Sequence, residues 1–352
     1  GYTARSGAKF EPGGQDLFVR ASRVGDTVLV VAEMLTIPES LIEAVRSRLP
    51  NVRFAIWATH THCAPDSQML NARMTVPVPG IATFSRKWMN WYADRIAEAI
   101  RLAPSVEGKL EVRLSTVPLA KGRRPSAAPD TRFWQVTVDG RPWLGIYGAH
   151  PTLHGSSERT LQGDWPGEWM RQTSGLMLCG PIGDVAPVGP LSSAPAKEQS
   201  VAFARALQQA PSRRVSSPQE LILRQQRVEN LPAVSPHQEF ATSNKITPAL
   251  AASVVQKFAP TEATLTQVVM GDTLLLGIPG EPTAGVARRL ERVGRQAGYR
   301  HVIVTSHGGG WLGYILTPDD YRRGGYEANL AFHGPDLSVV LEREVQAMLG
   351  QR

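Results

Sequence analysis

Residues 16–62 read DLFVRASRVGDTVLVVAEMLTIPESLIEAVRSRLPNVRFAIWATHTH, and this stretch decides the fold class. Two apolar, strand-like runs, 16–22 and 27–35, flank Val24-Gly25-Asp26, whose Gly and Asp supply a hairpin turn. Pro38 then opens a helical stretch, since a proline suits the first helical turn, and Leu41, Ile42, Val45 and Leu49 fall on one face. Residues 53–59 (RFAIWAT) follow as a buried strand that runs into His60-Thr61-His62. Strands and a helix alternating at this spacing predict an α/β fold with mixed β-sheets flanked by helices.

The rest of the chain continues the alternation without an internal sequence repeat. Residues 85–103 form an amphipathic helix with Trp88, Tyr92, Ile96, Ala99 and Ala103 at helical spacing. Residues 133–138 and 143–149 make a strand pair around Asp139-Gly140, and 264–270 and 273–278 another around Gly271-Asp272. A helix over 283–297, a strand over 301–306, a glycine loop at 308–310 and a closing helix over 336–349 complete the reading. Residues 181–217 are rich in Pro, Ser and Ala around one helix (196–209). They are the best linker candidate, yet they carry the GDVAP segment, so no domain boundary is drawn there.

At 352 residues the length prior allows about two domains, although α/β enzymes of this size are often one unit. A composition of 42% hydrophobic and 20% charged residues excludes a disordered or collagen-like chain. No apolar run approaches the roughly 18 residues of a spanning helix. No signal peptide is legible, but the first residue is Gly1, so the start reads as a trimmed one. The net charge of +7 favours anionic partners. Its arginine pairs (123–124, 213–214, 288–289, 322–323) are scattered and no aromatic interleaves them, which predicts a solvated basic surface and no nucleic-acid partner. Two cysteines, Cys63 and Cys179, permit one bridge or two free thiols.

His60 and His62 stand two apart where a strand ends, so both imidazoles can face one site. Neutral imidazole is the commonest metal ligand. The plainer reading is a pair of ordinary histidines at a strand exit, with Cys63 a buried thiol. His150 ends a second strand, with His154 behind it, and two histidine-bearing strand ends raise the case for a metal. Glu281 (PGEPT) precedes a helix, where a carboxylate also serves simply to complement the helix dipole. Asp164, Glu168, Asp184 and Asp319-Asp320 are loop acids, a type that more often forms turns than does chemistry. His307 with Gly308–Gly310 lacks the lysine and spacing of a phosphate loop and reads as a tight turn or a close backbone approach. Tyr314, Tyr321 and Tyr326 lie just beyond it.

Taken in order, Gly1-Tyr2, THTHCAP (59–65), Arg123-Arg124, AHPT (149–152), Gly163-Asp164, GDVAP (183–187), PGEPT (279–283), GYILTPDDY (313–321), YEA (326–328) and HGP (333–335) resemble the catalytic domain of the neutral/alkaline, non-lysosomal ceramidases. The resemblance spans nearly the whole chain, and its order and spacing carry it. It implies one catalytic domain over 1–352, without the family's opening strand and C-terminal β-sandwich. It further implies a zinc ion held by His60, His150, Glu281 and Tyr314. His62 falls on a position that contacts the scissile amide, Tyr326 on one that polarises the carbonyl, and Arg123 on a substrate-binding arginine. Gly1, Asp164 and Ala186 fall on segments that handle the substrate. Zinc would lower the pKa of its water towards about 7, and the partner implied is a ceramide-like N-acyl lipid, met at a membrane surface or outside the cell. Ala186 departs from the family, which carries Ser in GDVSP. The expectation is therefore a zinc-dependent amidase, with a non-catalytic, metal-containing lipid- or ligand-binding relative as the alternative.

Overall fold

The computed structural model describes residues 9–350 apart from Pro79 and Ser192. Strands β1 (Val19–Val24) and β2 (Thr27–Ala32) form an antiparallel hairpin, and helix α1 (Glu39–Arg48) crosses over to β3 (Arg53–Ala58), parallel to β2. The same hairpin-then-crossover unit occurs twice more. In the second, β6 (Arg132–Val138) and β7 (Arg141–Tyr147) pair antiparallel, and α3 (Asp164–Thr173) leads to β8 (Leu176–Cys179), parallel to β7. In the third, β12 (Ala263–Met270) and β13 (Thr273–Gly277) pair antiparallel, and α7 (Ala284–Gln296) leads to β15 (His301–Thr305), parallel to β13. A sequence without an internal repeat thus folds into a threefold recurrence of ββαβ, because what recurs is hydrophobic period and turn placement.

The second and third units gain edge strands. β4 (Leu110–Thr116) and β10 (Arg213–Ser216) extend one sheet to the order β10-β4-β6-β7-β8, and β11 (Ile222–Val228) extends the other to β11-β12-β13-β15. Two short pairs complete the strands: β5 (Ala120–Gly122) with β9 (Val185–Pro187), and β14 (Glu281–Pro282) with β16 (Tyr314–Ile315). Helix α2 (Arg86–Arg101) lies in the first unit, α4 (Ala196–Gln209) packs with α3, and α5 (Gln238–Ser243) and α6 (Pro248–Phe258) precede the third unit. Beyond β16 come α8 (Pro318–Arg322), α9 (Tyr326–Asn329) and α10 (Leu337–Gly350).

Period-two alternation divides the interior. Val28, Val30, Phe54 and Ile56 face α1 and α2, whereas Leu29, Val31, Ala55 and Trp57 face a core shared by all three large sheets. In the third unit Leu274, Leu276, Val302 and Val304 face α7 and α10, and Leu275 and Ile303 enter the shared core. The interior stripe of α2 is Met89, Ala93, Ile96, Ala97 and Ile100. Trp88 and Trp91 are exposed, so the face expected from Trp88 and Tyr92 is turned by about one residue. Both cysteines are buried and free.

The carboxyl ends of the parallel strands meet. The Thr59 N–H donates to Ala32 O (3.0 Å), the Cys179 thiol to Thr59 O (3.2 Å), and Ser306 donates through its N–H to Cys179 O (2.9 Å) and through its hydroxyl to Gly180 O (2.6 Å). The Trp57 indole donates to Thr305 Oγ1 (3.0 Å). A side chain at Gly308 would strike that indole (2.5 Å) and one at Gly309 would strike Thr264 O (2.2 Å), so the glycine loop is a close backbone approach, as expected. Carboxyl ends of parallel strands are the usual place for a ligand site in α/β folds.

Candidate metal centre and active site

Each unit supplies one histidine from a strand end: His60 follows β3 and His307 follows β15, the last strands of the first and third units, whereas His150 follows β7, inside the second. Glu281 follows β13. His60 and His307 both take left-handed backbone angles (φ 62° and 57°), which turn their rings back over the strand ends. All four side chains are buried.

The second ring nitrogens fix the tautomers. His60 Nδ1–H donates to Leu35 O (2.7 Å) and His150 Nδ1–H to Ile182 O (3.0 Å), so each turns an unprotonated Nε2 inward. Those two lone pairs lie 3.1 Å apart, His62 Nε2 is 3.3 Å from His60 Nε2, and Glu281 Oε2 is 3.4 Å from His60 Nε2 and 3.8 Å from His150 Nε2. Two lone pairs with no proton between them repel unless a cation intervenes. A tetrahedral ion with bonds of about 2.0–2.1 Å spaces its ligand atoms roughly 3.3–3.4 Å apart, so the donor set fits zinc in chemistry and in spacing. Glu281 Oε2 accepts no hydrogen bond, while its Oε1 accepts from the Trp311 indole (3.3 Å).

Burial pushes the His150 imidazole down to about 3, so that ring is neutral at any ordinary pH. The helix-dipole role open to Glu281 belongs elsewhere. Thr283 caps α7 with its hydroxyl, and Asp184 Oδ1 accepts from the Ala284 N–H (2.8 Å), which leaves the Glu281 carboxylate to the cluster.

Tyr314 arrives by strand register, since β14 and β16 set Glu281 and Tyr314 side by side. Its phenol is buried, and burial with the nearby Glu281 carboxylate raises it well above its ordinary value, with the Arg123 guanidinium opposing. Arg123 lies 6.0 Å from the Tyr314 ring centroid and 5.8 Å from that of Tyr326, and the two rings are 5.9 Å apart. Glu327 anchors the arginines, Arg123 at 3.3 Å and Arg124 at 2.7 Å.

A cavity of about 410 Å³ opens over this cluster. Its floor holds His60, His62, Glu281 and Tyr314, Tyr326 stands at its half-exposed edge, and its walls are apolar: Met74, Val78, Ile81, Phe258, Trp311 and Phe332. His60, His62, His150, Glu281, Tyr314, Tyr326 and Arg123 are therefore gathered in one place. Asp164 and Ala186 are not in the lining. The Asp164 carboxylate accepts from the His154 N–H (2.9 Å) and the Trp165 N–H (2.7 Å) and holds the start of α3, while Ala186 faces Lys121 in the β5–β9 pair. Gly1 lies outside the described residues. Sequence reasoning did not include His307 or Trp311 in the site. The only signal available was a histidine at a third strand end.

No protein-family model matches the sequence, and no curated protein matches it. Among solved structures the chain is similar to a neutral ceramidase from Pseudomonas aeruginosa, with a TM-score of 0.72 and 17% identity over 92% of this chain and 66% of that one. It is also similar to a ceramidase complexed with C2, with a TM-score of 0.74 and 16% identity over 92% of this chain and 67% of that one. The chain thus has the neutral-ceramidase fold and spans about two thirds of those chains' length.

Proposed function

We propose that this protein is a zinc-dependent hydrolase of N-acyl amides, acting on ceramide or a related acylated amine. The observation that carries the reading is the convergence on His60 Nε2 of His150 Nε2 (3.1 Å), His62 Nε2 (3.3 Å) and Glu281 Oε2 (3.4 Å), with His60, His62 and Glu281 lining a largely apolar cavity. The ceramidase fold supports it, as does the seating of Tyr314 beside Glu281.

In this reading His60, His150, Glu281 and Tyr314 hold the ion, which when bound supplies a polarised water of pKa about 7. His62 Nε2 would hold the proton given up by a water that adds to the acyl carbonyl and return it to the amide nitrogen as the C–N bond breaks, giving a fatty acid and an amine. The Tyr326 hydroxyl donates to the carbonyl oxygen as charge builds there, and Arg123, braced by Glu327, keeps both tyrosine rings in place. The walls formed by Met74, Val78, Phe258 and Phe332 take the acyl chain and exclude water. No helix among the described residues is long and apolar enough to cross a membrane.

The test is zinc content together with steady-state hydrolysis of a panel of ceramides, N-acyl amino acids and other N-acyl amines, repeated after chelation. About one zinc per chain and chelator-sensitive release of fatty acid are expected. Ala186 lies off the cavity lining, so Ala186→Ser should alter turnover about tenfold or less, the worth of one hydrogen bond. A wild type inert on every amide beside an active serine variant would overturn the hydrolase and favour a ligand-binding relative.

A further inference from the structure

His307 is fully buried, and neither of its ring nitrogens makes a hydrogen bond. An imidazole in that condition is less favourable than an apolar side chain of similar size, because its nitrogens have left water without gaining a partner. Its surroundings point to a ligand-directed reason. The ring stacks on His60 at 4.2 Å between centroids and 19° between planes. Its backbone N–H donates to Gly280 O (2.9 Å), next to Glu281 in the chain. A nitrogen of His307, one of His60 and a Glu281 oxygen all lie within 4.8 Å of one another.

Parallel stacking decides which role is open. Ring lone pairs lie in the ring plane, so two stacked imidazoles aim along parallel lines and do not meet at one ion. His307 therefore does not share the ion of His60, but its N–H is within reach of the Glu281 carboxylate through one bridging water. We propose that His307 is a positioning residue of the metal centre: its face sets the His60 ring, and its N–H holds the Glu281 carboxylate in ligating orientation. Carboxylate ligands are commonly held in this way, and such partners are worth roughly 10- to 100-fold in metal affinity. The inference rests on the zinc reading above.

The experiment is zinc affinity by chelator competition for wild type and His307→Phe, which keeps a flat ring against His60 and removes both nitrogens. It is paired with melting of the metal-free proteins and with visible absorption of the cobalt-loaded ones. The expected result is a roughly 10- to 100-fold loss of zinc affinity, a shifted cobalt spectrum, and a metal-free melting temperature equal to or above that of wild type. Should His307→Phe fail to fold, His307→Leu has the same expected and overturning outcomes. A variant that binds zinc as wild type does, with an unchanged cobalt spectrum, overturns this inference alone. Wild type that binds no zinc overturns the proposed function along with it.

Discussion

His60 and His62 differ by two residues and, in the proposed reading, by role. His60 is fixed at one nitrogen by Leu35 O and along its face by His307, whereas His62 lines the cavity with its Nε2 3.3 Å from that of His60. His60→Ala and His150→Ala should each abolish zinc binding and turnover. His62→Ala should leave about one zinc per chain and lower kcat by roughly 10²- to 10⁴-fold, the usual worth of a proton-transfer group. Metal analysis beside kinetics separates the two, and loss of zinc in His62→Ala would make it a ligand. The pair was legible because two histidines at a strand end share a face. His307 was not, because a histidine followed by three glycines carries the same signal whether its ring meets solvent or another imidazole.

At the scale of the element, α7 does more than cover a sheet. Its first N–H groups are satisfied by Thr283 and by Asp184, whose segment arrives from the second unit, and the residues just before the helix are Glu281 and Pro282. Asp184→Ala strands a buried N–H and should cost about 1–2 kcal/mol of stability, read as a lower urea midpoint. It should also weaken zinc binding, because the segment bearing Glu281 loses its tie to the second unit. Unchanged stability would mean that Thr283 alone suffices. Most elements could be read from residue order, since Gly25-Asp26, Asp139-Gly140 and Gly271-Asp272 mark their hairpins in ordinary turn chemistry. Helix α2 was misread in rotation. Trp88 and Tyr92 are large and apolar and drew the stripe towards themselves, while the true interior face is built largely of alanine and isoleucine.

For the whole molecule, buried neutral histidines, His150 among them, contribute to how the metal-free protein answers acid. His150 titrates near 6.5 when unfolded and is pushed down to about 3 when folded, so between those values the unfolded chain binds the extra proton. Stability from this group is complete above about pH 6.5 and is lost as the pH falls towards 3. The urea midpoint of the chelated protein should therefore drop across that window, and more steeply than that of a His150→Gln variant. Equal slopes would locate acid sensitivity elsewhere. How the three units dock was beyond the sequence, because their contacts join segments separated by 90 to 248 residues and no local signal spans that distance.

The three-unit arrangement also orders events in time. His60 and His62 are neighbours, but Cα-level closure of the site must join His60 to His150 and then to Glu281, which requires loops of 90 and 131 residues. Closing such loops costs conformational entropy that only packed sheets repay, so, on the proposed ligand set, a refolding chain would lack His150 and Glu281 beside His60 until the later units pack. If His60, His150 and Glu281 hold zinc as proposed, tight capture would wait until the last unit has docked. The rate at which a refolding chain withdraws zinc from an indicator dye is then a clock for the final assembly step, and at low free zinc the shape of that time course would lag behind the recovery of helical signal.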